Sequence, residues 1–410
     1  MIVKVVLTAS ERAGVDVLVA GGGIAGVCAA VAACQAGART LLVEEMGCLG
    51  GNATTGGVGA FCGETRGQGQ VFDEIVARLE RLDAIAPYRP YEEREARPFD
   101  HQVLAYVLQE LAAEAGVEIL LFTQAVGALR DGDSVSAVVL SNRSGLSVAP
   151  AKVIIDATGE ACVARSAGLP IQPVGDGLLP MSVIFFMRQV PDPESLPQAE
   201  ADSSLRDDPP MMSLWPEPHG KLGIKVKVIG HDAADGGSLT QAEMAGRRLA
   251  MRVASHLRAG EQRAFRFDHF AGRIGIREGR RILGDYVLCE ADLRAGQRFE
   301  DGVALGRFYL DYHDPGTHRR VSRFDRKQPQ VPPYHIPYRS LIAQGACNLL
   351  AAGRCFSADR VALSSARVMT TCAMMGQAAG VAAAMATDGN VRSVSGSALA
   401  QALTRRGAQL

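Results

Sequence analysis

Residues 15–45, VDVLVAGGGIAGVCAAVAACQAGARTLLVEE, restrict the fold more than any other stretch of the chain. The run Val17 to Ala20 reads as a buried strand, followed by an alanine-rich helix and a second apolar strand ending at Glu44. Between the first strand and the helix stand Gly21, Gly22, Gly23, Ile24, Ala25 and Gly26, and three of these glycines have the G-x-G-x-x-G spacing. Gly21 permits a tight turn, Gly23 lets backbone approach a pyrophosphate, and Gly26 lets the helix lie close on the strand. The helix then points its N-terminal N–H groups at the phosphates. Glu44, 18 residues after Gly26 and followed by Glu45, stands where a carboxylate takes the hydroxyls of a ribose. This strand–turn–helix–strand unit predicts a dinucleotide site in an α/β fold.

The next stretch, Gly47 to Gly69, is glycine-rich, lacks apolar periodicity and is charged only at Glu64 and Arg66. Such a loop lets backbone pass against a flat ring system. Val71 to Leu82 has helical spacing, and a Pro- and Arg-rich connector, Pro87 to Pro98, leads to Asp100. Asp100 is a candidate N-cap for a helix from His101 to about Ala115, which Gly116 ends. Val117 to Phe122 reads as a strand. An antiparallel insert follows, DGDSVSAVVL and LSVA joined by Ser141 to Gly145, and then a strand from Val153 to Ala157 runs into Thr158-Gly159-Glu160.

From about Ala164 proline becomes frequent, which marks passage into a second domain with strands near Met181 to Arg188 and Gly223 to Ile229. Thr240 and Glu243 have capping-box spacing and predict the start of a helix that runs to about Arg258. Arg273, Arg277, Arg280 and Arg281 form a candidate anion site, because arginine grips carboxylate or phosphate bidentately; pairing with Glu278 and Asp285 is the structural alternative. Pro332, Pro333 and Pro337 hold the segment from Val331 to Leu341 extended, so that it presents Tyr334, His335, Tyr338 and Arg339. His313 and His335 can exchange protons near neutrality. The chain closes with an apolar strand from Asn348 to Gly353, a loop from Arg354 to Ser364, and a small-residue helix with Ser364 or Ser365 as candidate N-cap. Gly376 and Gly380 within that helix allow close packing on the first helix or on a ring system.

Composition removes several classes of function. A chain of 410 residues suffices for two or three domains, and 43 Lys plus Arg against 44 Asp plus Glu leave no global field for nucleic acid or a membrane surface. The nine cysteines never stand as C-x-x-C, which argues against a disulfide framework, a metal or iron–sulfur site and a redox dithiol. They fit a reducing, cytoplasmic location. The longest apolar segment, Val368 to Ala386, is interrupted by Thr370, Thr371, Gly376, Gln377 and Gly380 and reads as a buried helix, so no integral membrane segment is expected.

GGGIAG at 21–26, LGGNAT at 49–54, DATG at 156–159, GIREGRRILG at 275–284 and AGRCFSADRVALSSARVMTTCAMMGQAAG at 352–380 resemble the motifs of the FAD-dependent oxidoreductase family, within the glutathione-reductase-like superfamily. The resemblance implies a Rossmann-like FAD-binding domain, a parallel sheet with helices and an antiparallel β insert, from residues 1–170 and 336–410. An α+β substrate or cap domain would occupy 171–335. By the same resemblance the pyrophosphate would lie on Gly21 to Gly26, Glu44 would hold the adenosine ribose, and Gly50, Gly51, Asn52 and Thr54 would line the flavin side. Val126 would meet the adenine through its backbone, and Ala157, Thr158 and Gly159 would close over the cofactor. Gly353, Arg354, Arg367, Val368 and Met369 would reach the ribityl chain and the pyrimidine edge of the flavin.

No second G-x-G-x-x-G unit stands between residues 150 and 350, and Gly353 is followed by Arg354, not by the acid of the aromatic-hydroxylase GD-A-H pattern. The expectation is a dehydrogenase, oxidase or desaturase that takes hydride from a small, acidic or amine-containing substrate onto flavin. Oxygen, a quinone or a carrier protein would remove the electrons. Arg277 with Arg339 would anchor the substrate, and His313, His335 or Tyr334 would accept its proton. An NAD(P)H-using reductase or monooxygenase, and an electron-transfer subunit, are the alternatives, and a homo-oligomer is compatible with each. Cys48 and Cys62 could carry a covalent flavin, but small apolar cysteines are the simpler reading.

Overall fold

The computed structural model describes residues 6–89, 96–173, 177–192, 194, 197–217, 220–318 and 331–410. Residues 90–95 of the Pro- and Arg-rich connector, and Pro193 and Pro218 of the proline-rich stretch, lie outside these.

Val15–Ala20 (β1) and Thr40–Val43 (β2) are apolar on both faces because both faces are covered, and nearly all their side chains are buried. They pair in parallel, Val17 opposite Thr40, and β2 pairs in parallel with Glu118–Leu120 (β3). Gln124–Asp131 (β4), Ser134–Asn142 (β5) and Gly145–Asp156 (β6) complete the sheet in the order β3-β2-β1-β6-β5-β4. The early half of β6 pairs antiparallel with β5, Ala137 opposite Pro150. Its later half pairs in parallel with β1, Ala20 opposite Asp156, and with Leu349–Ala351. One strand of 12 residues therefore unites LSVA with the strand expected from Val153, and β4 is a third, unforeseen strand of the insert. Residues of β4 are mostly half-exposed or exposed and show no clean alternation, so they leave little periodic signal.

Ile24–Gln35 (α1) follows β1, and Gln70–Arg81 (α2) and His101–Glu114 (α3) pack beside it. Asp100 caps α3 as expected, accepting from the backbone N–H groups of Gln102 and Val103. A second, antiparallel sheet contains Met181–Gln189 (β7), Met212–Glu217 (β8), Lys221–Val228 (β9) and Phe265–Phe270 (β10) in the order β8-β9-β7-β10. Gly236–Arg258 (α4) covers one face, joining Ala242, Ala250 and Val253 to Val183, Phe185, Ile224 and Val226 in a separate core. The cap of α4 corrects the expectation at Thr240. Asp235 accepts from Ser238 N and starts the helix a turn earlier, while Glu243 accepts from the backbone N–H of Ile274 at 2.6 Å. A polar residue at 240 thus lies inside the first turns, its hydroxyl bonded to the Gly236 carbonyl.

The loop expected from Arg354 to Ser364 is likewise corrected. It holds a 3-10 turn, Gly353–Cys355, and a helix, Arg360–Ala366 (α5), capped by Asp359 through Ala362 N. Ser364 and Ser365 are buried inside α5 and cap nothing; Met369–Met385 (α6) begins after Val368, and the two helices meet at 95°. Among the described residues no single helix is long and apolar enough to cross a membrane.

α6 packs backbone to backbone on α1. A Cβ added at Gly376 would lie 2.1 Å from the Ala25 carbonyl oxygen, and one at Gly380 would lie 2.1 Å from that of Ala29. Gly376→Val is therefore expected to destabilise the protein by at least about 1–3 kcal/mol, the usual cost of overpacking, read as a fall in the urea midpoint. Gly236→Ala, where an added Cβ meets nothing within 4 Å, leaves the midpoint unchanged.

Candidate active site

The carboxyl ends of β1, β2 and β6 and the N-terminal ends of α1 and α6 converge on one cleft. Gly21 turns the chain out of β1 with φ of 101°, and a Cβ there would lie 2.5 Å from the Ala157 carbonyl oxygen. A Cβ at Gly26 would stand 1.8 Å from the Gly21 oxygen, so α1 starts in contact with the turn itself. At Gly23 an added Cβ would meet nothing within 4 Å, which leaves an open cradle at the N-terminus of α1.

Carboxylates fix the turns around that cradle. Glu44 accepts from Gly22 N at 2.6 Å and Met46 N at 2.9 Å. Burial pushes its carboxyl up, and these two bonds oppose the shift. Asp156 is fully buried and accepts from Thr158 N and Oγ1, Val163 N and Ala164 N, which shapes the Ala157-Thr158-Gly159 turn. Arg354 donates to the carbonyls of Ile276 and Gly159 and to Glu160, and Asn52 donates to the Ile276 carbonyl at 2.9 Å. One arginine thereby ties three lining segments together.

Of the cofactor candidates, Gly21, Gly23, Ile24, Ala25, Glu44, Glu45, Gly50, Gly51, Asn52, Ala157, Thr158, Gly159, Gly353, Arg354, Arg367 and Met369 line the cleft. Gly22, Gly26, Thr54 and Val368 are next to lining residues in sequence without lining it themselves. Val126 is 47% exposed on β4, and its neighbours Thr123, Gln124 and Ala125 form the wall instead. The residues fit a dinucleotide: the cradle at Gly23 is open, and the buried Nε atoms of Arg273 and Arg367, two lining residues, have no hydrogen-bond partner.

Beside Arg367 stands a cluster of charged side chains, here called the chamber, drawn from β9 and from the segments around residues 277 and 311. Arg367 donates to the carbonyl of Asp311 at 3.0 Å and to its Oδ2 at 3.2 Å, and that Oδ2 is 3.1 Å from Nε2 of His313. Burial and the nearby Arg277 lower the His313 pKa to about 3, so the imidazole is neutral. Burial works against the Asp311 carboxylate, yet His313, Arg367 and Lys225 hold it well below the usual range. Arg277 is 8% exposed, bonded to the Pro180 carbonyl at 2.6 Å, and burial with Arg367 brings its pKa down to about 9. Burial and Arg277 also lower the pKa of Lys225, which neighbours Cys62.

The structure thus brings Arg277 and His313 together and leaves the other catalytic candidates elsewhere. Tyr334 is fully buried, with its hydroxyl 2.7 Å from Ser365 Oγ. His335 is held by the backbone of Phe299 at 3.2 Å, and Arg339 pairs with Asp301 at 2.9 Å over the Tyr286 ring. The proline-held segment forms a strand with Gly302–Gly306, so its alternate residues Tyr334 and Ile336 enter the core. The arginine stretch also separates: Arg273 pairs with Glu45, Arg281 with Glu278. Lys225 and Asp311 were missed. Their signals are present in the sequence: Lys225 and Lys227 alternate with Ile224, Val226 and Val228, and Asp311 stands two residues from His313.

This sheet, with its glycine turn and two helix N-termini at one cleft, defines a dinucleotide-binding flavoprotein. The profile of the FAD dependent oxidoreductase family matches residues 16–403, so the chain belongs to that family, and FAD is its cofactor. A comparison with curated proteins found no match. Among solved structures, the fold is similar to a geranylgeranyl bacteriochlorophyll reductase-like protein from Thermoplasma acidophilum, at 13% identity and a TM-score of 0.50, covering 98% of this chain and 93% of that one. It is also similar to the anhydrotetracycline hydroxylase OxyS from Streptomyces rimosus, at 16% identity and a TM-score of 0.50, covering 92% of this chain and 63% of that one. At these identities the likeness is one of fold.

A Cβ at Gly23 meets no protein atom within 4 Å, so Gly23→Val extends a side chain into the cradle. The purified variant is expected to keep its far-UV circular dichroism and to carry less than about one-tenth of the wild-type flavin, since a blocked phosphate site removes the helix N–H contacts. Full flavin content would contradict the placement.

Proposed function

We propose that the protein is a dehydrogenase or oxidase that removes hydride from a small, acidic or amine-containing substrate held in the chamber beside the cleft. Bound FAD supplies the two-electron acceptor, and the protein supplies placement and proton removal. The observation that supports this most is the state of His313. With Nε2–H donating to Asp311, its Nδ1 lone pair has no partner among the described residues. Loss of hydride from a carbon is accompanied by loss of a proton from an adjacent O–H, N–H or C–H, and that nitrogen is the acceptor. Asp311 fixes the tautomer and the ring, and Arg367 fixes Asp311.

We take the FAD-binding unit as residues 1–170 and 336–410 and the cap as 171–335; among the described residues, the first contributes Arg367 to the chamber and the second contributes Lys225 on its sheet. The cap meets the first unit through stacked rings, His101 on Phe186 at 4.5 Å. Glycine-loop cysteines are not needed as flavin attachment points; burial raises the Cys62 thiol away from its reactive form.

The FAD-loaded protein, mixed without oxygen with hydroxy acids, amino acids and amines, is expected to lose its oxidised flavin absorbance with at least one of them. Rapid bleaching by NADPH without substrate would instead select a reductase or monooxygenase. Re-admitting oxygen separates oxidase from dehydrogenase. His313→Asn should slow flavin reduction by about 10²–10⁴-fold with flavin content intact, the range for losing a general base. Because the His313 base is active when unprotonated and its pKa is about 3, wild-type reduction should persist on the acid side without a loss near 6.5. An acid limb centred near 6.5 would assign the proton to another group.

A further inference from the structure

The chamber holds more positive charge than its own contacts satisfy. Arg367 is matched by Asp311. Arg277 makes one hydrogen bond, to the Pro180 carbonyl, and Lys225 makes no hydrogen bond or ion pair with any described residue. Arg277 is 8% exposed, whereas Lys225 is half-buried and keeps part of its surface accessible. The β9 register explains the arrangement. Ile224, Val226 and Val228 enter the core beneath α4, so Lys225 and Lys227 share the opposite face with Ile184 and Ser182 of β7. Lys227 is already engaged, donating to the Asp314 carbonyl at 2.6 Å.

The charged and titratable groups that face one another here are Lys225 and Lys227 from β9, Arg277, Asp311 and His313, Arg367 and the Cys62 thiol, with Tyr309 donating to Asp311 Oδ1 at 3.4 Å and Asp314 acting on Lys227. With His313 neutral, the one carboxylate of the group, Asp311, faces three cations, Arg367 in direct contact and Lys225 and Arg277 beyond it, so positive charge is in excess. Two buried cations side by side repel and are poorly solvated, so a bound anion would stabilise the charged form of both. The free N–H edge of a guanidinium and one ammonium together grip the two oxygens of a planar carboxylate.

We propose that Lys225 and Arg277 form an anion subsite that anchors the substrate through a carboxylate, so that the chamber admits small organic acids and excludes simple amines. This rests on reading the chamber as the substrate site. It also narrows that reading, because a cationic amine would enter a wall that already carries unmatched positive charge. An organic acid bound there places its carbon skeleton between the cap sheet and Arg367, the residue shared with the cleft.

The test is a titration of the FAD-loaded protein with butyrate, malonate and succinate, with propylamine and inorganic phosphate as the contrasting probes, read by the flavin difference spectrum and by calorimetry. At least one carboxylate is expected to bind saturably, and tighter than either contrasting probe. Lys225→Met should weaken that binding by tenfold or more at unchanged flavin content and with no fall in melting temperature, and Lys225→Arg should restore most of it. The cationic lysine is the binding form, so wild-type affinity should fall as pH rises through the lowered Lys225 pKa, and Lys225→Met should lose that fall. Arg277→Met should weaken binding similarly; should it shed flavin, the Lys225 pair decides alone. Saturable binding by none of the carboxylates, equal or tighter binding of propylamine or phosphate, or unchanged affinity in Lys225→Met would overturn the proposal. Carboxylate binding that never leads to flavin reduction by any substrate would leave the subsite standing and remove the dehydrogenase reading. Reduction by a simple amine, with no carboxylate bound, would do the reverse.

Discussion

Backbone contact between α1 and α6 is the constraint on which the rest of the site depends. Two helices distant in sequence can both point their N-termini into one cleft only if their axes come unusually close, and Gly376 and Gly380 against the carbonyls of Ala25 and Ala29 provide that approach. The same economy of side chain recurs where Gly26 meets Gly21. Small residues therefore do not mark weakness here. They bring two partial positive charges, each about half an elementary charge, to a cleft where a dianionic pyrophosphate and a polar ring edge would be held.

Electrostatics divide the site into two regions joined at Arg367. In the cleft, buried carboxylates act as braces: Asp156 and Glu44 spend their oxygens on backbone N–H groups and set the turns. In the chamber, positive groups outnumber negative ones, and burial works against each charge. That environment keeps His313 neutral and makes an incoming anion favourable. A hydride abstraction needs both conditions, a positioned carbon and a base that is free at neutral pH.

Most of the cleft was legible in the sequence because its residues act through local backbone geometry. Gly21 to Gly26, Glu44 and the Ala157 to Gly159 turn each follow a strand, and glycine spacing and strand ends can be read from one sequence. The chamber was legible only in part, because its side chains come from five segments, around residues 62, 225, 277, 311 and 367, separated by tens of residues. Arg277 and His313 were singled out by residue type, yet nothing local distinguished them from His335 and Arg339, which the chain spends on backbone and on Asp301. Lys225 looked like an ordinary strand lysine. Its meaning comes from the other face of β9 being buried under α4, a tertiary fact. The Thr240 cap failed for a related reason: a valid capping pattern was overridden by Asp235 one turn earlier.

The most direct measurement is the anaerobic half-reaction with an organic acid whose reacting carbon carries deuterium in place of hydrogen. If the protein takes hydride from a carboxylate substrate, the acid bleaches the flavin, deuterium slows the bleaching, and NADPH alone does not bleach it quickly. Fast bleaching by NADPH with no reduction by any organic acid would contradict that chemistry.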